Sequence, residues 1–117
     1  MAWSITFEDE FDTEYGQMDE RLQNALLSHL VALENFGPQL GRPKADTLNG
    51  SQHANMKELR FNLDGGVWRV AYAFDTEREG IVLVAGDKSG TNQKRFYKEL
   101  IAKADQRFTN HLDKLSN

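Results

Sequence analysis

The stretch Met56–Gly86, "MKELRFNLDGGVWRVAYAFDTEREGIVLVAG", decides the fold class. Three runs, Met56–Leu63, Val67–Asp75 and Ile81–Gly86, are separated by "DGG" and "DTEREG", which carry glycine and aspartate where tight turns need them. Connections that short join neighbouring antiparallel strands. In the second run Trp68, Val70, Tyr72 and Phe74 share one face, with Arg69, Ala71, Ala73 and Asp75 on the other. In the first, Leu59, Phe61 and Leu63 oppose Glu58 and Arg60. Each strand therefore has an apolar face for helices and a second face of small or charged residues. Only "IVLVA" is apolar on both sides, which suits an inner strand.

Outward from this core the periodicity changes. Upstream, "WSITFEDEF" alternates Trp3, Ile5 and Phe7 with polar neighbours and reads as a further strand. From Met18 to Phe36, Leu22, Leu26, Leu30, Leu33 and Phe36 recur at helical spacing, and Gly37-Pro38 is a helix stop. "GPQLGRPKADTLNGSQHAN" is a loop, with room for one helical turn. Downstream, Asn92 to Leu115 places Tyr97, Leu100/Ile101, Ala104, Phe108, His111/Leu112 and Leu115 on one side of a long amphipathic helix. The order β-α-loop-β-β-β-α predicts an α+β domain: a small, mostly antiparallel sheet with helices packed on one face and the other face partly open. A chain of 117 residues without repeat or linker fits one domain, 1–117.

Composition narrows the chemistry. Hydrophobic residues at 39% and charged residues at 27% are those of an ordinary globular protein. The absence of cysteine excludes disulfides and thiolate metal sites, and without a close histidine pair a zinc site is hard to assemble, so no metal and no cofactor are expected. The acidic start "MAWSITFEDEF" is unlike a secretory signal, and no apolar run is long enough to span a bilayer; the expectation is a cytoplasmic protein with no membrane contact. The net charge of −4 hides an asymmetry. Residues 1–36 hold eight Asp/Glu and one basic residue, Arg21, for −7; the remainder, with 13 Lys/Arg against 10 Asp/Glu, carries +3.

Several of those cations fold toward one place. Arg60 and Arg69 come from neighbouring strands on the face away from the core, Lys57 lies just before them, and Lys88, Lys94, Arg95 and Lys98 follow in the next turn and helix. Arginine forks and mobile lysine charges suit a phosphodiester backbone, and Tyr72, Phe96 and Tyr97 offer rings for unpaired bases. The plainer alternative makes them solvated charges paired with Glu58, Asp64, Asp87 and Glu99. His29 and His111 sit within helices as surface or satisfied residues. His53, in "NGSQHAN", is the loop histidine available as an acid or base. "GDKSG" lacks the spacing of a nucleotide-binding loop.

The sequence of motifs "LGRPKADTLNGSQHANMKELRF", "GGVWRVAYAFD" and "IVLVAGDKSGTNQKRFYKELIAKADQRF" resembles the RelE/HigB superfamily of bacterial and phage toxins, in a phage-derived HigB-like branch, over nearly the whole chain. The resemblance implies the toxin of a type II toxin-antitoxin system: a ribosome-dependent messenger-RNA endoribonuclease neutralised by an antitoxin protein of helix-turn-helix type. Its partners would be that antitoxin, the ribosome and messenger RNA. Family members cleave without metal, by attack of the ribose 2′-hydroxyl on the adjacent phosphate. That chemistry needs a base for the 2′ proton, cations for the phosphorane and an acid for the 5′ oxygen.

By this resemblance Arg69 in "WRV" matches a sheet arginine and is the leading transition-state stabiliser. Arg60 in "KELR" matches a second arginine, Lys88 in "GDK" the cation after the last strand, and Tyr97 in "FYK" a tyrosine used for proton transfer or stacking. Some members carry two alternating lysines where this chain has Lys57 beside Glu58, so the general base stays open among Lys57, His53 and Tyr97. Lys94, Arg95, Lys98 and Phe96 are expected to bind RNA or the ribosome. The fold also supports toxins that bind DNA gyrase without nuclease chemistry, and inactive relatives kept for antitoxin contact; the basic strand residues favour the nuclease.

Overall fold

The computed structural model describes residues 2–116. The elements run β1 (Ile5–Phe7), α1 (Asp9–Gly16), α2 (Glu20–Phe36), a 3₁₀ turn (Gly37–Gln39), β2 (Ala45–Thr47), β3 (Lys57–Leu63), β4 (Gly66–Phe74), β5 (Gly80–Asp87) and α3 (Gln93–Leu115). The strands form one sheet in the order β1-β5-β4-β3-β2. β2 to β5 are antiparallel neighbours, and β1 closes the far edge parallel to β5. The three central strands and the two long helices are those expected.

Two short elements depart from expectation. The strand opening at Trp3 stops at Phe7, and "EDEF" is helical: the Glu8 carboxylate accepts the Phe11 N–H at 3.0 Å, and Asp9, Glu10 and Asp12 occupy the first turn, where the helix dipole favours negative charge. The long loop also contains the edge strand β2, paired with Lys57–Leu59.

The helices do not all lie on one face, as the sequence led us to expect. α1 and α2 pack on one side, where Phe11, Leu22, Leu26, Leu30 and Leu33 meet Leu59, Phe61, Val70, Tyr72 and Val82. α3 crosses the other side, where Leu100, Ala104 and Phe108 meet Ala71, Ala73, Ile81, Leu83 and Val84. The small residues Ala71 and Ala73 seat the second helix. A register shift at Ala71/Tyr72 turns both Leu83 and Val84 toward α3. Gly86 lets its first turn close in, since a Cβ there would stand 2.9 Å from the Phe96 ring.

α3 packs chiefly over β4 and β5, and near its start Tyr97 reaches across to Glu58 of β3. Beyond Glu58 this face of β3 and β2 opens, with Arg60 and Asp46 partly exposed and Asn62 exposed, and the candidate site lies at that boundary. At the other end of α3, the buried Arg107 guanidinium binds Glu14 at 2.6 and 2.8 Å and the Leu83 carbonyl at 2.8 Å, with Glu10 at 3.2 Å and Glu8 at 3.8 Å. The acidic helix α1 is thereby fixed to the C-terminal half of α3, about 20 Å along the helix from its basic start. Among the described residues no helix is long and apolar enough to cross a membrane, and no group of three or more His, Cys, Asp or Glu is placed to hold a metal ion.

Candidate functional site

The site begins with a turn. Asp64 and Gly65 both have positive φ, 49° and 84°, the two-residue hairpin geometry that fixes Leu63 opposite Gly66. Counting back along the ladder sets Arg60 directly opposite Arg69. The Arg60 N–H points outward, donating to the Lys44 carbonyl at 2.9 Å, so the arginines form a non-hydrogen-bonded pair, the type with the closer side chains. Like charges in that position are destabilising. Such a pair makes sense where an anion is to be held.

The arginines are held differently. Arg69 is 6% exposed and lies beneath the start of α3, where its Nε donates to Tyr97 Oη at 3.3 Å and its Nη1 to the Trp68 carbonyl at 2.9 Å. Tyr97 in turn donates to Glu58 Oε1 at 3.0 Å, and Glu58, also 6% exposed, stands 3.9 Å from Arg69 Nε. Arg60 is half-exposed, with one Nη at 4.0 Å from Asp46, while Lys88 places its ammonium over the Tyr97 ring at 5.6 Å. The result is an Arg69–Tyr97–Glu58 array, its two charged members buried and Tyr97 half-buried, bordered by two further cations.

Burial and neighbouring charges shift the titrating groups of this array. Burial pushes the Glu58 carboxyl above its ordinary value, against the opposing pull of the Tyr97 hydroxyl and of Arg69, Arg60 and Lys88. Burial and the neighbouring Arg69 and Arg60 charges lower the Lys88 ammonium, although Glu58 opposes them. Tyr97 is raised, chiefly by burial, which outweighs the Arg69 hydrogen bond. A carboxylate readier to take a proton thus adjoins a lysine readier to release one.

The other sequence-derived candidates lie elsewhere. Lys57 shares the parity of Leu59 and Phe61, so it emerges on the α2 side, where its ammonium binds the carbonyls of Pro38, at 3.1 Å, and Leu40. Its ammonium is lowered by burial, with Asp46 opposing. His53 packs edge-on against Phe108 and binds, at 3.0 Å, the Oγ1 of Thr109, twelve residues and about 18 Å along α3 from Tyr97. Neither joins the array. Phe96 packs on Gly86 and is partly exposed, whereas Tyr72 is wholly buried on the opposite face and is not free to stack on a base. Lys94, Arg95 and Lys98 are exposed and line an open groove on α3 with Asn92, Glu99 and Ala102.

Glu58 is the functional candidate that sequence reasoning passed over. The signal was present: it shares a strand face with Arg60, and the ladder puts it opposite Ala71, two residues from Arg69.

Comparison with known proteins adds ancestry to this geometry. Residues 13–109 match the family described as "Phage derived protein Gp49-like (DUF891)". The chain is 41% identical over 96 residues to the "Putative toxin HigB2" of Mycobacterium tuberculosis, covering 81% of this chain and 47% of that protein. It is 50% identical over 80 residues to "Putative toxin HigB3" of the same organism, covering 68% of each. The matches thus span about half the length of the first relative and about two thirds of the second. In solved structures, the free state of an arginine-to-alanine double mutant of the E. coli toxin RelE has the same fold, with a TM-score of 0.63 at 18% identity over 92% of this chain and 98% of that one.

Proposed function

Because the chain belongs to the phage-derived Gp49-like family, related to the HigB toxins and built on the RelE fold, we propose that it is the toxin of a type II toxin-antitoxin pair, and that it cleaves messenger RNA on the ribosome. The observation that carries the nuclease reading is the Arg60–Arg69 cross-strand pair with the part-buried Tyr97–Glu58 hydrogen bond beside it. Two arginines opposed on an incompletely covered face supply the anion site. The adjoining tyrosine-carboxylate pair supplies a route for a proton.

In the reaction that this arrangement supports, the scissile phosphate lies against Arg69 and Arg60. The 2′-hydroxyl gives its proton to Tyr97 Oη as Tyr97 passes its own to Glu58, and the 2′ oxygen attacks phosphorus. The P–O5′ bond breaks, and the 5′ oxygen takes a proton from Lys88. The products are a 2′,3′-cyclic phosphate and a 5′-hydroxyl end. Arg69 carries the largest share, since a preorganised charge in a dry site stabilises developing negative charge by about 3–4 kcal/mol. Glu58 thereby takes the base role for which Lys57 and His53 are too far away.

Docking belongs to the exposed charges. Lys94 and Arg95 occupy the first turn of α3, where the helix dipole disfavours cations; this arrangement adds positive potential toward a polyanion. An antitoxin covering this end would block RNA entry and ribosome contact together. Primer-extension mapping of transcripts after brief induction tests the reading. Discrete cuts within translated frames are expected. Intact messages with stalled replication would overturn it in favour of gyrase binding, and intact messages with normal growth in favour of an inactive relative.

A further inference from the structure

Next to the arginine pair, β3 has an edge that β2 does not cover. The last β2-side bond is Arg60 N–H to the Lys44 carbonyl, and among the described backbone hydrogen bonds none joins residues 41–43 to β3. In-register counting leaves Asn62 as the one β3 residue beyond Arg60 whose backbone points outward. A single free residue is too short to accept a partner's strand, so this edge is poorly suited to protein β-addition.

Two grooves meet at this edge. One, of about 280 Å³, is lined by Pro43, Arg60, Phe61, Asn62 and Arg69 and so opens from the arginine pair. The other, of about 370 Å³, shares Pro43, Arg60, Phe61 and Asn62 and continues to Lys44 and to Ser28, His29 and Ala32 of α2. Among the described lining residues there is no carboxylate, and Lys44, Arg60 and Arg69 make both grooves cationic. Of the acids beside the grooves, Asp46 is engaged by Arg42 at 3.0 Å and lies 4.0 Å from Arg60, and Glu58 lies 3.9 Å from Arg69 and accepts from Tyr97.

At the far end the His29 imidazole is stacked on Phe61, with centroids 4.5 Å apart and planes at 18°, and its Nδ1 is 2.8 Å from the Ala25 carbonyl. The ring is thus fixed in place, partly exposed, with the proton directed to Nδ1 and Nε2 left without a hydrogen-bond partner among the described residues. A held aromatic ring beyond a run of cations is the form of a single-strand binding track.

We propose that the groove past the open edge of β3 carries the RNA strand away from the Arg69 pocket, with Lys44 contacting phosphate, Asn62 contacting the adjoining sugar or base, and His29 stacking on the next base. This rests on the nuclease reading and adds to it a path and a direction. The occupant is a single-stranded polynucleotide: the grooves are cationic, continuous with the anion site and lack the free backbone that a protein strand would need.

The test is a titration of ¹⁵N-labelled protein with a 2′-O-methyl hexaribonucleotide, which cannot undergo 2′-hydroxyl attack, alongside cleavage by the same preparations in a translating extract. Binding should move the amide resonances of Lys44, Asn62 and His29 together with that of Arg69. Lys44→Glu and Asn62→Asp, both at exposed positions, should each weaken binding roughly tenfold at low salt, with the difference shrinking as salt rises. His29→Gln should lose affinity for purine more than for pyrimidine oligomers. Movement at Arg69 with Lys44, Asn62 and His29 unmoved would overturn the track and leave the nuclease reading standing. No movement at any of them, in a protein that does cut messages in the extract, would likewise overturn only the track. No cleavage in the extract would overturn both. Movement at the edge caused by an extended Glu-Val repeat peptide and not by RNA would assign it to a protein strand.

Discussion

Arg69→Ala should reveal how dry the site is. The guanidinium and the Glu58 carboxylate are both buried, their closest charged atoms are 3.9 Å apart, and Tyr97 bridges them. Removing the cation leaves a buried carboxylate with only the half-exposed Arg60 and the peripheral Lys88 to balance it, which should cost about 3–5 kcal/mol of folding free energy. The loss should depend on pH. Glu58 already binds a proton more readily than an ordinary glutamate, and without Arg69 it will do so more readily still. The folded variant then holds a proton that the unfolded chain releases near the ordinary value of about 4.3, so its deficit should be small in acid and grow as pH rises through the raised folded value. Urea denaturation of wild type, Arg69→Ala, Glu58→Gln and the double variant at pH 5 and pH 7.5 gives both quantities. The cycle should show a coupling of about 1–3 kcal/mol. A loss below about 1 kcal/mol, equal at both pH values, would mean a solvent-screened pair and refute the dry-site argument.

Other consequences are nearer the surface. Trp68 packs against the α2-side core but remains half-exposed, so Trp68→Ala should cost about 2 kcal/mol, against about 3–5 for a fully buried tryptophan, and less than Leu59→Ala at a wholly buried neighbour; denaturation midpoints will rank them. Reversing Lys94 and Arg95 together to glutamate should weaken co-sedimentation with ribosomes at low salt, the difference fading as salt screens the wild-type attraction; equal co-sedimentation would mark a merely solvated helix face. Glu14 is held below the ordinary carboxylate value, chiefly by its hydrogen bonds to Arg107, against burial. Its contribution is present above the unfolded value and disappears as pH falls through the lowered one, so Glu14→Gln should destabilise at neutral pH and flatten the acid limb of the stability curve; an unchanged acid limb would contradict the Arg107 network.

What the sequence displayed and what it hid follow from the range of the interactions. β3, β4 and β5 were visible because alternation and turn chemistry are local, and the same parity put Arg60 and Arg69 together. β2 was hidden because three residues after a proline become a strand only through pairing with a partner about twelve residues away. α1 was hidden because the Trp3-Ile5-Phe7 alternation runs straight into "EDEF", whose helix depends on the Glu8 cap. Ala71 and Ala73 read as an open face, yet small side chains are what a crossing helix requires. Lys57 could have been set aside from its parity with Leu59, whereas His53 could not, because its attachment to Thr109 joins segments far apart in sequence. Glu58 was seen only as a surface partner for the cations; its burial depends on Tyr97 arriving from α3.

The most direct test uses purified protein, programmed ribosomes and a message whose cleaved codon carries a single 2′-deoxynucleotide on the 5′ side of the scissile phosphate. The account predicts that the all-ribose message is cut to a 2′,3′-cyclic phosphate and a 5′-hydroxyl end, that the deoxy message stays intact at that phosphate, and that Glu58→Gln slows cleavage of the former by about a hundredfold or more. Cleavage of the deoxy message at the wild-type rate, or an unimpaired Glu58→Gln protein, would contradict it.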